Sequence, residues 1–147
     1  MAKTILVTGG TGYIGSHTVV ELQQKGFDTV IADDLSNSSA EVVDRIEKIT
    51  GIRPAFEKTD LKDAEKVKAL FEKYPIAATI HFAASKAVGE SVHKPLLYYR
   101  NNLVSLLNVL ECIREKSGAF VFSSSCTVYG QPDHPPVRET DPIKPAE

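Results

Sequence analysis

From Thr4 to about Ser125, short β-branched runs alternate with longer segments of helical period. Such alternation points to a parallel sheet wrapped by helices, since two strands running the same way need a long crossover between them. Strands are expected at Thr4 to Thr8, Thr29 to Ala32, Ala55 to Lys58, Ala78 to Ala83 and Ala119 to Ser123. Between them, Ile14, Val19, Val20 and Leu22 mark one amphipathic helix, and Val42, Val43, Ile46 and Ile49 recur at helical spacing in a second. Val67, Leu70 and Phe71 carry a third. A longer helix follows Pro95, with Leu103, Leu106, Leu107, Leu110 and Ile113 expected on its inner stripe and Gly118 as its C-cap. After Gly130, the prolines at 132, 135, 136, 142 and 145 rule out a helix or a central strand. The chain therefore divides into an α/β domain over 1–130 and a proline-rich loop over 131–147 that leads toward a further part.

The turn after the first strand carries the most chemistry. Gly9-Gly10-Thr11-Gly12-Tyr13-Ile14-Gly15 satisfies both G-x-G-x-x-G and G-x-x-G-x-x-G. At Gly12 the backbone can approach a pyrophosphate without a Cβ in the way, and at Gly15 the helix can sit close on the strand. The helix N-terminus then offers free N–H groups and a partial positive charge. Asp33-Asp34 closes the second strand, where a carboxylate accepts hydrogen bonds from a ribose diol and repels a 2′-phosphate. These residues together specify a Rossmann-like, doubly wound sheet with helices on both faces that binds a dinucleotide, NAD rather than NADP. Asp33 also suits a turn cap, given the Asp-Leu-Ser-Asn-Ser that comes next.

Composition narrows the partners. With 17 Lys and Arg against 19 Asp and Glu, the chain lacks the positive excess that a phosphate polymer demands, so nucleic acid is excluded as a partner. No apolar run approaches the roughly 20 residues that cross a bilayer, and no signal-peptide core follows Met1, so a cytoplasmic location without membrane attachment is expected. Cys112 and Cys126 are too few for a disulfide framework and have no metal-binding spacing, so they are expected as reduced, buried thiols, and no metal site is expected. His81, among apolar neighbours inside the fourth strand, suits a hydrogen-bonded core histidine better than a base.

Beyond these general signals, "VTGGTGYIGSHTVVEL", "DDLSNSS", "TDL", "HFAASKAVGESV", "YYRNNL" and "FSSSCTVYG" closely resemble the UDP-glucose 4-epimerases of the extended short-chain dehydrogenase/reductase family. The resemblance runs to about Pro145. It implies that Gly9, Gly12, Tyr13, Ile14 and Gly15 hold the NAD pyrophosphate and that Asp33, Asn37 and Ser38 bind the adenosine ribose and its phosphate. By the same resemblance Asp60 and Leu61 border the adenine. Phe82, Ala83, Ala84 and Lys86 line the ribose and phosphate side, and Asn101 positions the cofactor from the long helix. Ser125 matches the family's catalytic serine. In that family hydride leaves C4 of a UDP-hexose for NAD and returns to the other face of a 4-keto intermediate, so the implied pathway is galactose metabolism. A tyrosine held as phenolate by a lysine four residues on is the base there, and the serine bridges to the sugar oxygen. The resemblance also implies a homodimer built on the helix after Pro95.

One part of the family pattern is missing. No Tyr-x-x-x-Lys follows Ser125, and Tyr129 cannot substitute because Asp133 stands four residues on. The expectation is an N-terminal piece of an epimerase, truncated before the last strands and the substrate domain, inactive alone and exposing apolar surface around the fifth strand and the long helix. Substrate breadth, hexose or N-acetylhexosamine, would be decided by the missing part. Two other readings stay open. A nucleotide-sugar 4,6-dehydratase would need further proton carriers where Cys126-Thr127 stands. A non-catalytic NAD-binding module would keep the glycine turn and Asp33 without the tyrosine and lysine. Ser125 as one hydroxyl of a serine-rich turn, and Lys86 as a solvated loop lysine, are the simpler alternatives at those positions.

Overall fold

A computed structural model describes residues 3–116, 118–132 and 134–144. Pro145 and Asp133 lie outside those residues, as does the side chain of Cys126. Five strands, β1 (Thr4–Thr8), β2 (Asp28–Asp33), β3 (Ala55–Lys58), β4 (Ile76–His81) and β5 (Ala119–Phe122), form one sheet in the order β3-β2-β1-β4-β5. All neighbours are parallel. Helices α1 (Tyr13–Gln24), α2 (Glu41–Thr50), α3 (Ala64–Lys73), α4 (Val88–His93), α5 (Pro95–Tyr99) and α6 (Ser105–Lys116) make the crossovers.

The pleat of β1 sorts the core into two layers. Leu6 points to one face and joins Val67, Leu70 and Phe71 of α3 with Val109 and Ile113 of α6. Ile5 and Val7 point to the other and meet Val19 of α1 with Val43 and Ile46 of α2. Both faces are therefore covered, and the sheet is doubly wound as expected. Because β2 lies on one side of β1 and β4 on the other, the chain reverses direction across the sheet between them. The C-terminal ends of β1, β2 and β4 open into a crevice at that switch point, the usual ligand position in such sheets.

Several boundaries differ from the expected ones. β4 runs two residues earlier than Ala78 to Ala83 because its last ladder pair is Thr8 with His81, after which β1 has no more residues to offer. Phe82 N–H still reaches the Thr8 carbonyl at 3.1 Å, and there the backbone leaves the sheet. β5 is an edge strand among the described residues and ends at Phe122, one residue before the expected Ser123. Ile14 and Ile49 are 52% and 64% exposed rather than inward-facing.

The long helix departs most. It is broken at Arg100–Val104 by a π turn, and its buried face runs through Ser105, Val109, Cys112 and Ile113. Leu103 and Leu107, expected inside, are 50% and 57% exposed. A π turn takes about one residue more than an α turn and so rotates the remainder of the helix by roughly a quarter turn. The apolar spacing alone carried no sign of that insertion. With Leu96, Leu97 and Tyr99 they leave an apolar strip facing outward, and Val121 and Phe122 of β5 are more than half exposed. Cys112 is buried as expected, and burial with Glu115 and Glu111 nearby pushes its thiol up, which keeps it protonated and unreactive.

His81 is 2% exposed, and its Nδ1 shares a 2.8 Å hydrogen bond with the Thr8 hydroxyl. Burial pushes the imidazole down from 6.5 to about 4. The unfolded chain therefore takes up this proton first. Stability contributed by the neutral ring is complete above about pH 6.5 and falls by at most about 1.4 kcal/mol per unit as the pH drops toward 4. Urea midpoints measured from pH 7 to 5 should fall more steeply for the unmodified chain than for His81→Asn. Equal slopes would show that His81 is not held neutral.

Candidate functional site

The crevice is a groove of about 120 Å³ whose floor is the turn after β1. Gly9 has φ of 67°, and a Cβ there would lie 2.8 Å from the Ala83 nitrogen, so only glycine lets the β1 and β4 ends approach this closely. A Cβ on Gly15 would overlap the Gly9 carbonyl oxygen and sit 2.8 Å from the Gly10 Cα. These contacts press the start of α1 onto the turn. The helix has Gly12 at its N-cap, no side-chain cap and no acidic residue in its first turn. Its first N–H groups thus present an uncompensated positive end beside the groove.

Asp33 forms the wall on the β2 side and is 8% exposed. Its Oδ2 accepts the Thr11 N–H at 3.2 Å, and its Oδ1 accepts the Leu35 N–H at 2.9 Å and the Ser38 hydroxyl at 3.1 Å. Leu35 has φ of 63°, a conformation that costs a leucine about 1–2 kcal/mol, and the bond to Asp33 helps to hold it. A carboxylate offers about four acceptor positions, so roughly one remains. Asp33 therefore caps the turn and also lines the groove.

Beyond Asp33 the wall continues through Asn37 and then Asp60 and Leu61 at the end of β3. Burial alone would raise the Asp60 carboxyl, but the Lys62 N–H and ammonium hold it below its usual value. The opposite wall is Phe82, Ala83, Ala84 and Lys86 after β4, with Asn101 from the π turn. Lys86 is exposed and brings a cation to this wall.

Several expected residues stand elsewhere. Tyr13 and Ile14 point their side chains outward, 82% and 52% exposed, so at these positions only the backbone is available to the groove. Gly15 is buried beneath the turn and shapes it. Ser38 lies behind Asp33, linked to the Thr11 hydroxyl at 2.7 Å. Ser125 is also off the groove wall: its hydroxyl bonds the Thr127 hydroxyl at 2.6 Å and accepts the Thr127 N–H at 3.3 Å, capping the short turn Cys126–Tyr129. The residue pattern did not bring out Thr59, Ser36, Ser85 and Ser105 as lining residues, and Asn102, which it marked as a weaker cofactor contact than Asn101, stands behind Ser85. Two adjacent asparagines on a helix, where asparagine has poor propensity, were the sign that marked both.

The glycine-lined turn, the uncapped helix end, the acid on β2 and the cation after β4 suit a phosphate-bridged ligand with a diol at one end. The family model described as GDP-mannose 4,6 dehydratase matches residues 6–147. The chain belongs to the GDP-mannose 4,6-dehydratase family. It is 51% identical over 144 residues to UDP-glucose 4-epimerase uge1 of Schizosaccharomyces pombe, covering 95% of this chain and 41% of that protein. It is 52% identical over 141 residues to UDP-glucose 4-epimerase of Bacillus subtilis, again with 95% and 41% covered. The solved UDP-glucose 4-epimerase of Bifidobacterium longum, in complex with NAD+ and UDP, superposes with a TM-score of 0.91 at 43% identity. That match covers 97% of this chain and 43% of that one. The epimerase from Stenotrophomonas maltophila, with bound NAD and formylated UDP-arabinopyranose, gives 0.90 at 48% identity, with 97% and 43% covered. This family member thus spans about two fifths of the length of the curated relatives it matches. Among its described residues no helix is long and apolar enough to cross a membrane.

Proposed function

We propose that this chain is the NAD-binding portion of a UDP-glucose 4-epimerase. The observation that carries the proposal is the groove at the sheet's switch point, where Gly9 and Gly12, the start of α1 and Asp33 converge. Support comes from relatives near 50% identity that bear the epimerase name and from neighbours solved with NAD. NAD, when bound, supplies a reversible hydride acceptor for C4 of the sugar. The amides of Tyr13 and Ile14 and the α1 dipole hold the pyrophosphate, while Asp33 accepts the adenosine ribose hydroxyls, with Asn37 and Ser38 supporting that end. Asp60 and Leu61 border the adenine. Phe82 to Ala84, Lys86 and Asn101 hold the other half, and Ser125, once its hydroxyl turns away from Thr127, hydrogen-bonds the sugar oxygen. A dehydratase is disfavoured because Cys126-Thr127 supplies no carboxyl pair for elimination.

Calorimetric titration tests the cofactor claim. NAD+ should bind saturably and NADP+ at least about tenfold more weakly, because Asp33 repels a 2′-phosphate. No NAD+ binding would refute the proposal. With UDP-galactose and NAD+, this chain should form no UDP-glucose, since it contains no Tyr-x-x-x-Lys after Ser125; product formation would show that the base lies elsewhere. We further place a homodimer contact on the outward apolar strip Leu96, Leu97, Leu103 and Leu107. Sedimentation should then show concentration-dependent association that Leu103→Glu weakens, and identical sedimentation of the two would place the contact elsewhere. A cytoplasmic location accords with this assignment, and fractionation of the native host tests it.

A further inference from the structure

On the π turn at Arg100–Val104 two consecutive side chains, Asn101 and Asn102, reach the same loop residue. In a regular helix neighbours point about 100° apart. Here Asn102 grips the Ser85 peptide from both sides. Its Oδ1 accepts the Ser85 N–H at 2.8 Å, and its Nδ2 donates to the Ser85 carbonyl at 3.0 Å. Asn101 adds a bond from Nδ2 to the Ser85 hydroxyl at 2.9 Å, and its Oδ1 accepts from Lys62 Nζ at 3.1 Å. Lys62 in turn pairs with Asp60 at 2.9 Å. The two asparagines so tie the loop after β4 to the loop after β3. Ser85 precedes Lys86 directly, and both line the groove.

Beyond these bonds the segment 83–87 is anchored near its ends, where Ala83 packs on the core with its N–H 3.4 Å from the Thr8 hydroxyl and the Ala87 carbonyl accepts the Ser91 N–H at 3.0 Å, while its middle, Ala84 to Lys86, rests on the asparagines. It is neither helix nor strand, and α4, next along the chain, buries no residue. A backbone that must present a cation at a fixed point therefore depends on the clamp. We propose that Asn102 is a positioning residue that fixes Ser85 and Lys86 for the half of the dinucleotide distal to adenosine. The inference rests on the dinucleotide reading of the groove. It differs from the role of Asn101, which lines the groove itself, whereas Asn102 stands behind Ser85 and bonds Ser85 and, at 3.2 Å, the Asn101 amide.

The sheet order separates the two ends of the ligand. Asp33 on β2 and Ser85–Lys86 after β4 lie on opposite sides of β1. Asn102→Ala should then weaken NAD+ about tenfold, as expected from two lost hydrogen bonds, yet leave the affinity for AMP within about twofold. General loosening of the fold would weaken both ligands alike. Titrating the full chain and its variant with NAD+ and AMP gives the comparison, and hydrogen exchange at the Ser85 amide, faster in the variant, reports the clamp itself. Unchanged NAD+ affinity, or equal losses for NAD+ and AMP, would overturn the role of Asn102 while leaving the dinucleotide reading intact. Failure of the unmodified chain to bind NAD+ would instead refute that reading, and the role of Asn102 with it.

Discussion

Gly15→Ala should lower stability by about 3 kcal/mol or more and abolish NAD+ binding together with it. The added methyl would overlap the Gly9 carbonyl oxygen and meet the Gly10 Cα, and both are backbone atoms that cannot swing aside. Relief requires α1 to lift from the turn, which would loosen the packing of Val19 against Ile31 and Val43 and move the helix end away from the groove. The gain in helix propensity from glycine to alanine, about 1 kcal/mol, works the other way and is too small to offset this. For a domain of this size the loss corresponds to roughly 10 °C in melting temperature. Gly89 supplies the control, since it lies in α4 with open space around its Cα, and Gly89→Ala should be neutral or stabilising. Thermal melts of the two variants that coincide would show that the close approach at Gly15 is not what makes glycine necessary there.

The same contrast explains how much could be read before the fold was known. Strand-and-helix alternation sufficed for a doubly wound sheet because Ile5, Leu6 and Val7 alternate between two buried faces and so must all be apolar, and a run of that kind has few other uses. The groove floor was legible for a similar reason: glycine spacing reports backbone approach, and backbone approach is local. The long helix was not legible in detail. Leu103, Leu106, Leu107 and Leu110 fit an α-helical stripe well, but the inner face is decided by how far the π turn rotates it, and that depends on the groups Asn101 and Asn102 bond across a separation of 16 or 17 residues. Ser38 and Ser125 show the same limit at the site. Their positions in the chain were right for a ligand contact, yet Ser38 is drawn behind Asp33 by Thr11, and Ser125 is drawn into a turn by Thr127. Short polar side chains go where a neighbouring hydrogen bond is nearest, and a sequence does not say which neighbour that will be.

Asp33→Asn should cost both stability and cofactor discrimination, although it changes one atom. The carboxylate receives donors on each oxygen, the Thr11 N–H on Oδ2 and the Leu35 N–H and Ser38 hydroxyl on Oδ1. An amide has only one acceptor oxygen, so whichever way it is turned its NH2 faces one of these donors. If it faces Thr11, which is 3% exposed, a buried N–H is left without a partner at a cost of about 1–3 kcal/mol. If it faces Leu35, the bond that helps to hold a left-handed leucine is lost and the loop through Asn37 relaxes. Either outcome removes the charge that favours a ribose diol and repels a 2′-phosphate. Charged hydrogen bonds contribute about 1.5–3 kcal/mol, so NAD+ affinity should fall about 10- to 100-fold, whereas NADP+ affinity should hold or improve. The ratio of the two dissociation constants, measured by titration, is the decisive quantity because a merely destabilised fold would move both in the same direction. A ratio unchanged by Asp33→Asn would mean that the carboxylate serves the turn alone and that the ribose is held by another group.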